Sequence, residues 1–217
     1  MFMRGEKCEL RVLDPTDPHQ VTSYTNAVNA GWTTEHLFTG SIPMRPFDVA
    51  ERWRNEIHSG DILFGVWCPH WVGKSTPYTS HQEFVGTVSL HSTKPIYRSW
   101  EARWIIFDPN SVGRGIGTEA GRMMVDYAFR RLNAWKVWLG VSADNDRAIG
   151  CYRKIGFTEE GRLRDEVYAQ GRYHDAIRMS ILRPEWETLC ANWGVQKEGR
   201  VQWYVTAPSS SAPAGSA

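Results

Sequence analysis

The chain has 217 residues, 41% of them hydrophobic and 23% charged, and a formal net charge of +1. That balance suits one folded domain with a substantial core and shows no basic footprint for nucleic acid or acidic lipid. No apolar run approaches the roughly 20 residues that cross a bilayer, and "MFMRGEKCEL" lacks the apolar segment of a secretory signal, so neither a nucleic-acid nor a membrane partner is expected.

In chain order, "CELRVLDPTDP" reads as a first strand over residues 8–13, ended by Asp-Pro. Residues 19–58 carry helical patches broken at "TGSIPMRPF". The later patch, "PFDVAERWRNEIHSG", is predicted to be a helix capped by Asp48 and stopped near Gly60. "DILFGVWC" follows as a buried strand, residues 69–82 as a polar hairpin loop, and "EFVGTVSLHS" and "SWEARWIIFDP" as two further strands. Beyond a glycine-rich stretch, Ala120, Met123, Met124, Tyr127, Ala128 and Leu132 form a helical stripe that reads as core packing. "WKVWLGVSA" is a strand, "NDRAIGCYRKIGF" a short helix ended by Gly156, and "EVYAQGRYHDAIRMSIL" a hairpin turning at Gln170-Gly171. "RVQWYV" is strand-like and suits a sheet edge or a second subunit, and residues 206–217 are a low-complexity tail. This order predicts an α/β domain with a mixed, partly antiparallel central sheet.

Cys8, Cys68, Cys151 and Cys190 stand alone, with no Cys-x-x-Cys pair, which points to reduced thiols in a cytoplasmic protein and to no metal site. Most of the eleven tryptophans are expected in the core or in a cleft wall.

"SVGRGIGTEA", residues 111–120, carries the chemical signal. A helix that starts just after glycine-rich backbone gathers unpaired N–H groups at its positive end, and glycine lets the main chain approach an anion. A nucleotide P-loop needs Gly-Lys-Ser/Thr at the helix start, and Ile116-Gly117-Thr118 supplies no lysine. Gly115, Gly117 and Ala120 satisfy a dinucleotide fingerprint, but "DPNSV" separates the loop from its strand. A third reading, a cradle for the pyrophosphate of coenzyme A, comes with a family resemblance carried by this loop and the segments after it.

The segment from residue 101 to 186 resembles the GCN5-related N-acetyltransferase (GNAT) superfamily. The loop motif Arg/Gln-x-x-Gly-x-Gly/Ala maps onto Val112, Gly113, Arg114, Gly115, Ile116 and Gly117, with valine in place of the first Arg/Gln. The second motif matches at Asn145, Ala148, Tyr152, Gly156 and Phe157. "EEGRLRDEVYAQGRYHDAIRMSILRPEW" is similar to the closing hairpin of the branch containing ribosomal-protein N-terminal acetyltransferases and spermidine acetyltransferases.

The resemblance implies a sheet with helices on both faces and acetyl-CoA as co-substrate. It implies coenzyme binding by the strand end Ile105, Ile106 and Phe107, by Val112, Gly113, Arg114, Gly115, Ile116, Gly117 and Thr118, and by Asn145. It implies Tyr152 as the acid that protonates the departing thiolate, which a phenol of pKa about 10 can do, and Glu101 as the base, acting directly or through water. His91 and Glu83 are weaker bases. His174 and Asp175 read as structural or cleft-lining. The acceptor face is expected from residues 26–48 and 164–175, with Trp32, Phe38, Trp100 and Trp104 as walls.

The expected function is acetyl transfer to a primary amine, on a protein N-terminus or a small molecule, by direct attack in a ternary complex. A catalytically silent acetyl-CoA-binding module and a polyamine- or antibiotic-type acetyltransferase are the alternatives. The expected organisation is a catalytic domain over 1–186, an extension over 187–205 and the tail, with a homodimer as the expected assembly.

Overall fold

The computed structural model describes residues 2–31, 42–72, 76–193 and 202–204. Nine strands form one sheet: β1 (Phe2–Arg4), β2 (Glu9–Val12), β3 (Ile62–Val72), β4 (Thr76–Lys94), β5 (Ser99–Ile106), β6 (Lys136–Ser142), β7 (Thr158–Ala169), β8 (Arg172–Leu182) and β9 (Gln202–Tyr204). Their order is β7-β8-β6-β5-β4-β3-β2-β1-β9. Every neighbouring pair is antiparallel except β5 and β6. The described helices are α1 (Pro18–Asn29), α2 (Pro46–His58), α3 (Ile116–Arg131), α4 (Asp146–Ile155) and α5 (Arg183–Asn192). None is long and apolar enough to cross a membrane.

Side chains alternate across a strand, so the sheet buries two cores. On one face, Ala120, Met124 and Phe129 of α3, Ile149 and Ile155 of α4 and Trp186 of α5 pack on Leu90, Ala102, Val137 and Met179. On the other, Val21 and Tyr24 of α1 and Val49 and Trp53 of α2 pack on Leu63, Phe84 and Phe107. In the expected stripe, Ala120, Met123, Met124 and Ala128 are buried and Tyr127 and Leu132 partly so, with Tyr127 edge-on to Phe64 at 5.5 Å.

Several boundaries differ from the sequence expectation. Asp48 is not the cap of α2. Pro46 is fixed at the first turn, which makes Arg45 the cap, and Asp48 reaches back to accept the Arg45 N–H at 2.9 Å. The Arg45 guanidinium, which donates to both Asp48 oxygens, and then the Arg45 N–H hold the Asp48 carboxyl down at about 2. The polar stretch 69–82 is mostly strand rather than loop, because β3 runs to Val72 and β4 starts at Thr76, with register shifts at Val66/Trp67 and Pro69/Trp71 absorbing the irregular sequence. Residue 186, where the domain was expected to end, falls inside α5, whose Leu189 packs against Gly156. "RVQWYV" contributes β9, paired with β1 in antiparallel register. The tail, Trp32 and Phe38 lie outside the described residues. The hairpin turns where expected, with Gln170 at φ 51° and Gly171 at φ 79°.

Candidate functional site

The site is built on the one parallel seam among the described strands. The ladder between β5 and β6 runs only through Ser99↔Lys136, Trp100↔Val137 and Glu101↔Trp138. β5 then follows β4 as far as Gly86↔Ile106, while β6 follows β8 as far as Ser142↔Ala176. The two strands diverge beyond Glu101. The β5 backbone from Ala102 to Ile106 therefore faces an opening rather than a ladder partner on that side.

Beyond Ile106 the chain turns at Asp108, which accepts from the Asn110 N–H at 3.1 Å and from the Ser111 hydroxyl. The glycine loop follows. Gly113 and Gly115 take φ 80° and 82°, which side chains resist, and Gly115 caps α3. A Cβ at Gly115 would lie 2.8 Å from Lys7 Nζ, and one at Gly117 would sit 3.4 Å from Ile106 and 3.9 Å from Cys151 Sγ. Asn145 caps α4 by accepting the Ala148 N–H at 3.1 Å. The starts of α3 and α4 thus flank the mouth of the diverging strands.

Between them lies a cleft of about 750 Å³. Of the residues expected to bind the coenzyme, Ile105, Ile106, Val112, Gly113, Gly115, Gly117, Thr118 and Asn145 line it, as does Tyr152. The Tyr152 ring sits edge-on to Trp104 at 4.6 Å, and burial pushes its phenol well above the ordinary tyrosine range. Thr118 Oγ1 lies 3.3 Å from Cys151 Sγ, joining the two helices.

Of the other three expected residues, Phe107 stands elsewhere, and Ile116 and Arg114 turn their side chains away while their backbone stays in the loop. Phe107 belongs to the second core, edge-on to Phe84 at 5.2 Å, and its N–H donates to Val85 O at 2.9 Å, so neither its ring nor its amide faces the cleft. The Ile116 side chain is buried in the first core. Arg114 turns aside to donate from Nε to the Asn110 carbonyl.

Glu101 also lies off the cleft. It shares a sheet face with Arg103 and Ile105, opposite α3 and α4, and accepts from Arg103 through both oxygens at 2.8 and 3.0 Å. His91 stands across from it on β4, buried, with Nδ1 2.8 Å from Asp61 and Nε2 2.9 Å from Ser89. Glu83 is exposed beside Cys68 in the ladder, remote from these groups in register. His174 and Asp175 hold the closing hairpin: His174 Nδ1 is 2.7 Å from Asp144, and Asp175 accepts from Arg162 at 2.8 Å. Trp104 lines the cleft, whereas Trp100 packs against the first core.

The cleft has walls that the sequence did not announce. Glu6 and Lys7 reach it from the N-terminal turn, and Glu119, Arg122, Arg147 and Lys154 from the two helices. Arg122 donates to the Lys154 carbonyl at 2.8 Å, tying α3 to α4 at a cationic rim. Arg122 was discoverable, one helical turn after Thr118 on the same face. Lys7 was not, because only the tertiary fold brings it to a loop more than a hundred residues away. Among the described residues no group of three or more metal-capable side chains converges.

Comparison with known proteins identifies a family and related folds. A model of the acetyltransferase (GNAT) domain matches residues 10–158. The spermidine N(1)-acetyltransferase of Escherichia coli is 38% identical over 104 residues, a match covering 48% of this chain and 55% of that protein. The chain therefore spans about half the length of that relative. The crystal structure of the Vibrio cholerae spermidine N-acetyltransferase, in complex with CoA and spermine, superposes with a TM-score of 0.70 at 27% identity, covering 83% of this chain and 98% of that one. A ribosomal L7/L12 α-N-protein acetyltransferase with CoA shares the fold at a TM-score of 0.68 and 18% identity, over 82% of this chain and 94% of that one.

Proposed function

The chain belongs to the GNAT acetyltransferase family, and on that premise we propose that it transfers the acetyl group of acetyl-CoA to a primary amine within a ternary complex. The observation that carries this reading is the early end of the β5–β6 ladder beside a glycine-lined helix start. An extended, acyl-bearing arm fits the opening, where unpaired β5 backbone can hydrogen-bond it. A pyrophosphate fits the α3 end, where side chains are missing from Gly115 and Gly117.

In this reading the loop amides from Gly113 to Thr118 hold the pyrophosphate, and Arg122 and Lys154 add positive charge at the rim. The backbone of Ile105 and Ile106 orients the acyl arm. Asn145 sets the start of α4, which presents Tyr152. The Tyr152 phenol, kept protonated by burial, gives its proton to the thiolate as it departs. The acceptor approaches from the opposite sheet face, where Glu101 meets its ammonium group and, directly or through water, receives the proton. The Arg103 ion pair on Glu101 competes with that transfer.

Four described carboxylates near this face have partners: Glu101 pairs with Arg103, Asp48 with Arg45 and Glu56 with Arg52, and Asp61 is hydrogen-bonded to His91. This supports an acceptor of single charge, such as a protein α-amine or a small monoamine, over a polyamine. Four free cysteines support a reducing, cytoplasmic setting. The exposed outer strand β7 supports a homodimer formed by pairing at that edge.

Incubation with acetyl-CoA and a panel of spermidine, simple monoamines and peptides with free N-termini, read by thiol release and mass spectrometry, tests the reading. Acetylated monoamine or peptide is expected. CoA bound tightly with no amine turned over would instead make the chain a silent binding module.

A further inference from the structure

We propose that the N-terminal turn is a working part of the coenzyme site: Lys7, latched over the glycine loop by Glu119, supplies a cation to the coenzyme's pyrophosphate. The proposal rests on the acetyl-CoA reading above and adds a binding group from outside the family's loop and helix motifs.

The turn between β1 and β2 is held by one carboxylate. Glu119, in the first turn of α3, accepts the backbone N–H groups of Glu6 at 2.9 Å, Lys7 at 2.8 Å and Cys8 at 2.9 Å. The approach is close: a Cβ on Gly5 would lie 2.6 Å from the Glu119 carboxyl carbon. Three donors on one carboxylate make a strong, directional clasp. They also turn the negative charge of Glu119 toward the N-terminal turn. An acid at this point would otherwise face the anion that the α3 terminus attracts.

The clasp fixes where Lys7 points. Its Nζ donates to the Arg114 carbonyl at 3.1 Å and sits 2.8 Å from the place a Gly115 Cβ would occupy. That is directly over the glycine loop, and Lys7 lines the same cleft. An ammonium has three N–H bonds. With one spent on Arg114, two remain for phosphate oxygens arriving at the loop. Arg114 itself is turned toward Asn110, so Lys7 takes the position over the loop expected of Arg114.

The test is calorimetric titration of the full chain with CoA and with 3′-dephospho-CoA. Lys7→Met is expected to weaken both ligands about tenfold, as for loss of one charge-assisted contact, and to flatten the salt dependence of binding. Lys7→Arg is expected to retain most of the affinity. Glu119→Gln is expected to weaken CoA by a similar factor, to speed amide hydrogen exchange at residues 6–8, and to add little in the double variant.

Unchanged CoA affinity in Lys7→Met overturns the proposal. So does a loss confined to CoA, which would move Lys7 to the 3′-phosphate. Tighter binding in Glu119→Gln overturns the latch, since the carboxylate would then have been repelling the ligand. A parent chain that binds neither ligand overturns the acetyl-CoA reading itself, which separates the two failures.

Discussion

Gly117→Ala is expected to move coenzyme binding and stability in opposite directions. Gly117 is the second residue of α3, and a methyl there would stand 3.4 Å from Ile106 Cγ1 and 3.9 Å from Cys151 Sγ. Those are ordinary contacts, so Gly117→Ala should fold without displacing its neighbours. Replacing glycine by alanine at a compatible site stabilises by about 0.4–1 kcal/mol, mainly by narrowing the unfolded ensemble, which for a chain of this size raises Tm by about 1–4 °C. The same methyl projects between two residues of the cleft wall. It holds an incoming phosphate away from an amide that it should approach to about 2.9 Å. Loss of one charge-assisted hydrogen bond, about 1.5–3 kcal/mol, corresponds to a ten- to hundredfold weaker CoA complex, roughly. Thermal unfolding of the free protein and calorimetric titration with CoA read the two effects separately. Gly115→Ala gives the contrast. At φ 82° and with Lys7 Nζ 2.8 Å away, it should lose about 1 kcal/mol of stability as well as affinity. A Gly117→Ala protein that gains stability and binds CoA within twofold of the parent would refute the close approach of phosphate to this backbone.

Tyr152→Phe is expected to keep the ring packing on Trp104 and the coenzyme affinity. It should slow the acetyl-transfer step by about 10²–10⁴-fold, and a parent-like step in pre-steady-state measurement would leave Tyr152 as a packing residue. Glu101→Gln should lower turnover chiefly at pH values where the acceptor is an ammonium ion, with CoA binding preserved; an unaltered pH–rate profile removes Glu101 from the proton path. Asp144, whose carboxyl is lowered first by its hydrogen bond to His174 and then by nearby Arg172, contributes stability that is complete above the unfolded carboxylate pKa of about 3.9. That contribution is lost as pH falls through the lower folded value. The Tm gap between parent and Asp144→Asn should therefore be present at pH 5 and close toward pH 2.5, and a gap that persists at the acid end would contradict the pairing.

Sequence patterning found the elements wherever periodicity and punctuation were local. The α3 stripe, the Gly156 stop and the Gln170-Gly171 turn all depend on neighbours within a few residues, and each appears where expected. The second strand-rich stretch was misread because residues 69–82 are polar and carry Gly and Pro, signals of a loop that long antiparallel pairing and two register shifts override. The same limit applies to the site. Gly115, Gly117, Asn145 and Tyr152 sit on motifs that are contiguous in sequence and were legible there. Phe107 was placed with them because it continues the strand, but alternation sends its ring to the other core and its amide to Val85. Lys7 and Glu119 meet only through the tertiary fold, and no pattern within either segment announces the other.

The opening between β5 and β6 has a cause that can be traced on both sides. On the β4 side, Gly86 has no side chain, and a Cβ there would lie 2.4 Å from the Ile105 carbonyl oxygen and 2.8 Å from Ile106 Cδ1. The missing atom lets β5 lean toward β4 at the very residues that line the cleft. Val85 O then accepts from the amides of both Phe107 and Asp108, at 2.9 and 3.3 Å, which fastens the end of β5 to β4. On the other side, β6 is drawn the opposite way by continuous pairing with β8 through Ser142↔Ala176. Each strand satisfies its backbone on its outer neighbour and leaves its inner edge unpaired over the same stretch. Buried, unsatisfied amides and carbonyls are costly. An edge of this kind persists in a folded protein where water or a ligand's own amide groups complete it. The extended amide-bearing arm of a coenzyme is such a ligand, and the glycine loop and α4 cap begin where that arm's phosphates would emerge.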